Sequence, residues 1–146
     1  MSARRCLLGV ALVAMSGCSR TSEPLTIERA RAAAAPMGAD TSLYFDIRST
    51  AGDRLVGARS DVATEVSLHE QVGVEGGQVM AAVAAVELPA GDVVAFEPLG
   101  DHVMLEDLTA DLAPGAEITV VLSFDGHADV TVVVEVVALL DLVAEQ

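Results

Sequence analysis

Cysteine is almost absent from this chain of 146 residues, and both examples lie near its start, at Cys6 and Cys18. Residues 19–146 therefore hold no disulfide, no zinc–thiolate site and no catalytic cysteine. The same absence excludes a blue-copper electron-transfer site, because that site needs a cysteine thiolate. Methionine is then the soft metal ligand that remains usable outside the cytoplasm, where thiols are lost to disulfides.

Positive charge is also scarce: lysine is missing, and 8 arginines face 22 acidic residues. The formal net charge of −14 repels nucleic acid and anionic lipid headgroups, so we expect no nucleic-acid partner. Such a surface could attract cations or a basic patch on a partner, or could serve solubility alone. The chain also lacks a phosphate-binding loop, a cofactor motif and a Ser-His-Asp order with supporting context, so we predict no enzymatic activity.

Residues 1–17 have the layout of a bacterial signal peptide, with a basic start at Arg4 and Arg5 and an apolar stretch over residues 7–14. The sequence Met-Ser-Gly-Cys that ends at Cys18 resembles the lipobox of bacterial lipoproteins. In that class, cleavage falls before the cysteine, which then carries lipid. We therefore expect an extracytoplasmic protein, in the periplasm or on an outer face, anchored through Cys18. The alternative is a plain secretory signal with Cys18 as an incidental thiol.

Short segments of alternating apolar and polar residues, separated by turn signals, fill most of the rest of the chain. This pattern is typical of an all-β protein, and we predict an antiparallel β-sandwich or Greek-key barrel. A valine-rich final segment is expected to be buried on both faces. The predicted strands cover residues 43–48, 53–60, 64–70, 78–86, 93–96, 102–105, 117–124 and 129–137.

These patterns divide the chain into four parts. After the signal peptide, residues 18–40 are expected to form the lipidated N-terminus, a polar tether and a lead-in whose alanine run is helical or extended. Residues 41–138 form the β domain. Residues 139–146 form a tail, as an extension of the last strand or as a short helix.

Two histidines and two methionines are the candidate metal ligands: His69, Met80, His102 and Met104. Residues two apart on a strand share a face, so His102 and Met104 project together. The glycines after His69 predict a hairpin that brings Met80 back beside it. Imidazole nitrogen and thioether sulfur suit a soft ion, and this set therefore indicates a Cu(I) site.

The order of these residues is His, ten residues, Met, twenty-one residues, His, one residue, Met. This spacing resembles the H-x10-M-x21-H-x-M motif of the periplasmic copper chaperones called PCuAC. Segments around residues 53–58, 66–70, 88–91 and 100–105 also look like that family. The resemblance implies a cupredoxin-like antiparallel β-sandwich (Greek key) that binds Cu(I) at these four positions. It further implies copper delivery to the CuA centre of cytochrome c oxidase.

Several features depart from the family or lie outside its motif. Residues 70–79 lack the extra His or Met that members often carry, and no tail rich in His and Met follows, so we expect a single copper site. His127 is interpreted as an exposed turn residue. Met37 is either a lid over the site or a packed or disordered residue. Glu70 and Asp101 either orient the histidines or are merely solvated.

We therefore predict a membrane-anchored copper chaperone that passes Cu(I) to a respiratory oxidase subunit or to a thiol-bearing assembly factor. Two alternatives stay open. One is a copper buffer or resistance protein without a dedicated acceptor. The other is a β-sandwich interaction module that binds no metal.

Overall fold

Ten β-strands and one short helix make up residues 24–144, the part of the chain that the computed structural model describes. Most strands match the predicted segments, but residues 78–86 divide between two strands, β4 and β8 extend beyond their predicted ends, and β1 was not predicted as a strand. The elements are β1 (Leu25–Ala33), β2 (Thr41–Ser49), β3 (Asp53–Arg59), β4 (Ala63–Val74), β5 (Gly77–Val83), β6 (Val86–Leu88), β7 (Val93–Phe96), β8 (His102–Leu108), β9 (Glu117–Phe124), β10 (Val130–Val137) and α1 (Leu139–Ala144).

The strands join in the order β5-β4-β8-β2-β1-β10-β9-β3-β6, and β7 also pairs with β2. Buried side chains of β4, next to one end of this path, and of β6, at its other end, belong to one hydrophobic cluster, so the strands enclose a shared core as a β-sandwich. The predicted all-β class is confirmed. One pairing differs from a purely antiparallel arrangement, because β1 and β10 run parallel.

β1 lies inside the segment that we assigned to the anchor, tether and lead-in. It occupies an interior position between β2 and β10, so residues from 25 onward belong to the folded sheet. Of the two conformations considered for the alanine run, the extended one is found, with Ala32 fully buried against the core. The tail takes the helical alternative as α1. The signal peptide and Cys18 lie outside the described residues.

Alternation along the strands builds the core, as the example of β9 shows: Ile118, Val120, Leu122 and Phe124 are all buried. The prediction for the valine-rich β10 is wrong. Its Val134 and Val136 are fully buried, but Val133 is 61% exposed. One face of β10 therefore meets solvent, because nothing covers that side of the sheet within the described residues.

His127 is not the exposed turn residue that we expected. Its Nδ1 pairs with an Asp53 carboxylate oxygen, and the Asp53 side chain is 1% exposed. The backbone N–H groups of Arg54 and Gly126 also donate to Asp53, each at 2.7 Å. Burial disfavours the Asp53 carboxylate, but the hydrogen bonds from His127, Arg54 and Gly126 outweigh it and hold the pKa of Asp53 below its ordinary value. This cluster closes the connection between β9 and β10 onto the start of β3.

From the lowered pKa of Asp53 we predict how the stability of the fold changes in acid. A carboxylate whose pKa falls on folding stabilises the fold above its unfolded pKa of about 3.9, and that contribution disappears as the pH falls through the folded value. Urea unfolding should therefore show that the wild type loses more free energy of unfolding between pH 6 and pH 3 than Asp53→Asn does. Asp92→Asn, at an exposed acid, should behave like the wild type. Parallel pH dependences for the wild type and Asp53→Asn would contradict this assignment.

Candidate metal centre

The pairing of β4 with β8 places the two candidate histidines side by side. In this antiparallel register His69 stands directly opposite His102. Their rings stack with centroids 5.2 Å apart and an interplanar angle of 20°. Ser67 stands opposite Met104 in the next pair on the same face, so Met104 lies beside the histidine pair.

Met80 reaches the same face from the outer strand. In the β4–β5 hairpin, Gln71 pairs with Met80, and the pair formed by His69 and Ala82 comes two residues further along. Since paired residues share a face and the side-chain period is two, Met80 and His69 project to the same side. The Met80 side chain is 40% exposed, so it lies at the open end of the arrangement.

A cleft of about 430 Å³ opens over this end of the sheet. Met80 and His102 both line the cleft, together with Tyr44 and Leu99, whereas His69 and Met104 do not line it. All four candidate residues therefore share one face of β5, β4 and β8. Two of them are reachable from outside through the cleft.

Backbone geometry orients the ring of His102. Its Nδ1 lies 3.0 Å from the carbonyl oxygen of Gly100. A carbonyl can only accept, so Nδ1 carries the proton and Nε2 keeps a free lone pair. The Tyr44 ring meets the His102 ring edge-on, at a centroid distance of 6.4 Å.

A two-step hydrogen-bond chain orients the ring of His69. The Ser67 hydroxyl donates to the Glu106 carboxylate, and the same hydroxyl oxygen lies 3.0 Å from Nε2 of His69. Because the hydroxyl proton is already given to Glu106, the oxygen accepts from Nε2–H of His69. The lone pair of His69 is therefore on Nδ1.

Met104 has one weak polar contact. The Ser42 hydroxyl lies 3.9 Å from the Met104 sulfur, and the two residues are paired across β2 and β8. A thioether sulfur is a weak acceptor, so this contact orients the side chain without removing its capacity to bind a soft metal.

The donor set of this face is soft. Within residues 24–144 no group of three or more His, Cys, Asp or Glu side chains is placed to hold a metal ion. Met80 and Met104 lie on the same face as the histidine pair and are the further candidate donors there. This combination of imidazole and thioether fits Cu(I) and is unsuited to Mg²⁺ or Ca²⁺, which bind oxygen.

The acids that we considered as orienting groups do not contact the histidines. Glu70 is adjacent to His69 on β4 and therefore points to the opposite face. Burial, with smaller contributions from the Asp101 and Glu87 charges, raises the pKa of Glu70. Asp101 accepts the backbone N–H of Gln71 at 2.8 Å. The orienting role falls instead to Ser67, supported by Glu106, and to the Gly100 carbonyl.

Met37 is not a lid. Its turn is held to the far end of β8, where the N–H of Gly38 donates to the carbonyl of Leu108 at 2.8 Å. His102 stands at the opposite end of that strand, six residues away, or roughly 20 Å in an extended chain. Ser67 and Glu106 could have been found from sequence, because each lies two residues from a candidate ligand and so shares its face.

The two rings should differ in tautomer. In the metal-free protein, above the pH at which the imidazoles are protonated, we expect His102 to carry its proton on Nδ1 and His69 on Nε2. Long-range ¹H–¹⁵N correlation spectra distinguish the two forms directly. Ser67→Ala should abolish the preference of His69 and leave that of His102 unchanged. The same tautomer at both rings of the wild type would contradict the hydrogen-bond assignment.

The chain also resembles known protein sequences. The family described as "Putative lipoprotein LpqE-like" matches residues 25–136. A relative described as "Putative lipoprotein Lxx21020", from Leifsonia xyli subsp. xyli (strain CTCB07), is 34% identical over 99 residues. That alignment covers 66% of this chain and 60% of the relative, so the chain spans less than two thirds of the relative's length.

Solved structures of PCuAC domains share the fold. The copper-bound PCuAC domain from PmoF2 has a TM-score of 0.69 at 27% identity, covering 80% of this chain and 94% of that domain. The apo PmoF2 domain gives a TM-score of 0.66 at 27% identity, with coverages of 80% and 91%. Apo-DR1885 from Deinococcus radiodurans gives 0.62 at 27% identity and covers 94% of both chains. The resemblance to PCuAC inferred from the sequence is confirmed.

Proposed function

Because this chain belongs to the LpqE-like lipoprotein family and has the fold of PCuAC domains, we propose that it is an extracytoplasmic Cu(I) carrier. The ion would be held by two imidazoles and two thioethers on one face of the sheet. The proposed ligands are His69, Met80, His102 and Met104.

The observation that carries this proposal is the direct pairing of His69 with His102. Two imidazoles at adjacent positions, with Met104 beside them and Met80 at the open edge, form a donor set without charge. Cu(I) accepts such soft and borderline donors. One solved neighbour of this fold is a copper-bound domain, which supports the same choice of metal.

The hydrogen bonds around the rings leave one lone pair on each histidine. Copper would meet Nε2 of His102 and Nδ1 of His69, because the other nitrogen of each ring is held by the Gly100 carbonyl or by Ser67. Metal-bound histidines usually donate their second N–H in this way, which fixes the ring and raises its basicity. These contacts hold each ring with one nitrogen directed away from its hydrogen-bond partner.

The openness of the site favours transfer over permanent storage. Met80 is 40% exposed and lines the cleft, so an incoming ligand can replace its sulfur first. A thiol-bearing acceptor would bind the ion as thiolate, release its thiol protons to water and leave copper as Cu(I). The protein ligands are neutral and need no compensating charge when the ion departs.

The anchor and the acceptor complete the proposal. Lipidation at Cys18 would confine the carrier to a membrane surface, and the lipoprotein descriptions of the family and the relative support it. The described residues contain no helix that is long and apolar enough to span a membrane. We propose that the acceptor is a respiratory oxidase subunit with a CuA centre, or an assembly factor that carries thiols.

The test is a Cu(I) competition titration with the chain from residue 19 onward, without oxygen and under reducing conditions. We expect one tightly bound equivalent in the wild type. Met80→Ala/Met104→Ala should weaken the affinity by at least about tenfold, because only the imidazoles remain as donors. Met37→Ala, which removes an exposed methionine far from the site, should bind like the wild type. Absence of stoichiometric binding by the wild type would defeat the proposal.

A further inference from the structure

The turn that precedes β8 has an unusual residue at its left-handed position. Its backbone is closed by the N–H of Gly100 donating to the carbonyl of Glu97, and by the N–H of Glu97 donating to the carbonyl of Asp101, both at 2.9 Å. Pro98 occupies the second position and Leu99 the third, with φ of +67° at Leu99. Turns of this kind normally have Gly or Asn there, because a Cβ is disfavoured at positive φ.

A Cβ on the neighbouring Gly100 would lie 3.1 Å from Cγ of Glu97, so a side chain at that position would require Glu97 to shift. Leu99 gains no packing in exchange for its unfavourable conformation, since it is 88% exposed. Strained backbone positions of this kind cluster at active sites, ligand clamps and switch regions.

Leu99 projects at the mouth of the candidate copper site. It lines the cleft together with Met80, Val79 and His102. Met80 is also exposed, and we define the apolar rim as the two residues Met80 and Leu99. The turn that carries Leu99 also supplies the Gly100 carbonyl that holds the His102 ring.

Acidic residues lie in the two turns next to the apolar rim. Glu97 and Asp101 belong to the same turn as Leu99, and Glu75 lies in the turn between β4 and β5. Arg29, which is close enough to interact with Glu97, is held by Asp46. With a net charge of −14 on the chain, a second copy would be repelled from this surface. The complementary partner is apolar at its centre and basic around it.

We propose that the apolar rim is the docking surface for a copper-exchanging protein whose own metal site lies in an apolar patch bordered by Arg or Lys. This inference rests on the proposed copper-carrier function. Leu99 would insert into the partner's patch and bring its thiolates over Met80. The ion would move from neutral ligands to two thiolates, two thiol protons would pass to water, and copper would stay Cu(I).

The test uses Leu99→Gly and Leu99→Asn, which remove the apolar side chain and suit the positive φ. Both variants should keep the wild-type Cu(I) affinity, and Leu99→Gly should unfold at a higher temperature than the wild type. The acceptor probe is a synthetic peptide with a pair of cysteines among leucines, flanked by arginines. A matched peptide is flanked by glutamates. Val133→Thr, at an exposed valine on β10, is the control variant.

We expect the copper-loaded wild type to transfer Cu(I) to the arginine-flanked peptide faster than to the glutamate-flanked one, with the advantage reduced by added salt. Both Leu99 variants should slow that transfer roughly fivefold or more, as expected for loss of one anchoring side chain. Transfer to a small chelator, bathocuproine disulfonate, should be unchanged. Equal peptide transfer rates in the wild type and both variants, or equal rates to the two peptides, would overturn the docking surface.

A copper-free measurement separates this inference from the proposed function. Fluorescence anisotropy with labelled arginine-flanked peptide should show weaker binding to both Leu99 variants than to the wild type and to Val133→Thr. If the wild type binds no Cu(I) but the Leu99 variants still lose peptide affinity, the carrier function fails and the docking surface stands. Unchanged peptide affinity would overturn the docking surface even if the titration finds a copper site.

Discussion

The register between β4 and β8 is the constraint on which the candidate site depends. A slip of one residue would turn every side chain of a strand to the other face, so His69 and His102 meet only in this pairing. The opposite face of the same strands fixes the register, because Leu68, Val103 and Leu105 are buried there. Burial of the core thus places the proposed ligands without any contribution from the metal.

The rest of the site refines what the register provides. Ser67 and Gly100 decide which nitrogen of each ring is free, and both do so from positions two residues away from the histidine they orient. The β4–β5 hairpin adds Met80 at the exposed edge. The result is a neutral donor set that is ordered in its interior and accessible at one end, which suits an ion that must be bound and then released.

Much of this arrangement could be predicted from sequence because it is local. Alternation located β2 and β9, and a side-chain period of two placed His102 and Met104 on one face. The same rule, applied more strictly, would have placed Glu70 on the face opposite His69 and found Ser67. The four candidate ligands came from their residue types and from the resemblance of their spacing to the PCuAC motif, and the structure places all four on one face of the sheet.

What the sequence did not reveal depends on contacts between distant parts of the chain. β1 lies parallel to β10. The alanine-rich segment of β1 carries no sequence signal that identifies a pairing strand about a hundred residues away. His127 lies in the connection between β9 and β10, and its partner is Asp53 at the start of β3. The one-sided burial of β10 follows from its place in the sheet. A run of valines has the same sequence pattern whether one face of the strand is covered or both are.

The central claim is that two imidazoles and two thioethers hold one Cu(I). X-ray absorption at the copper K-edge of the protein loaded with one equivalent of Cu(I) tests it most directly. The account predicts nitrogen and sulfur scatterers in equal numbers, with no signature of oxidised copper. A first shell of nitrogen and oxygen alone, without sulfur, would contradict it.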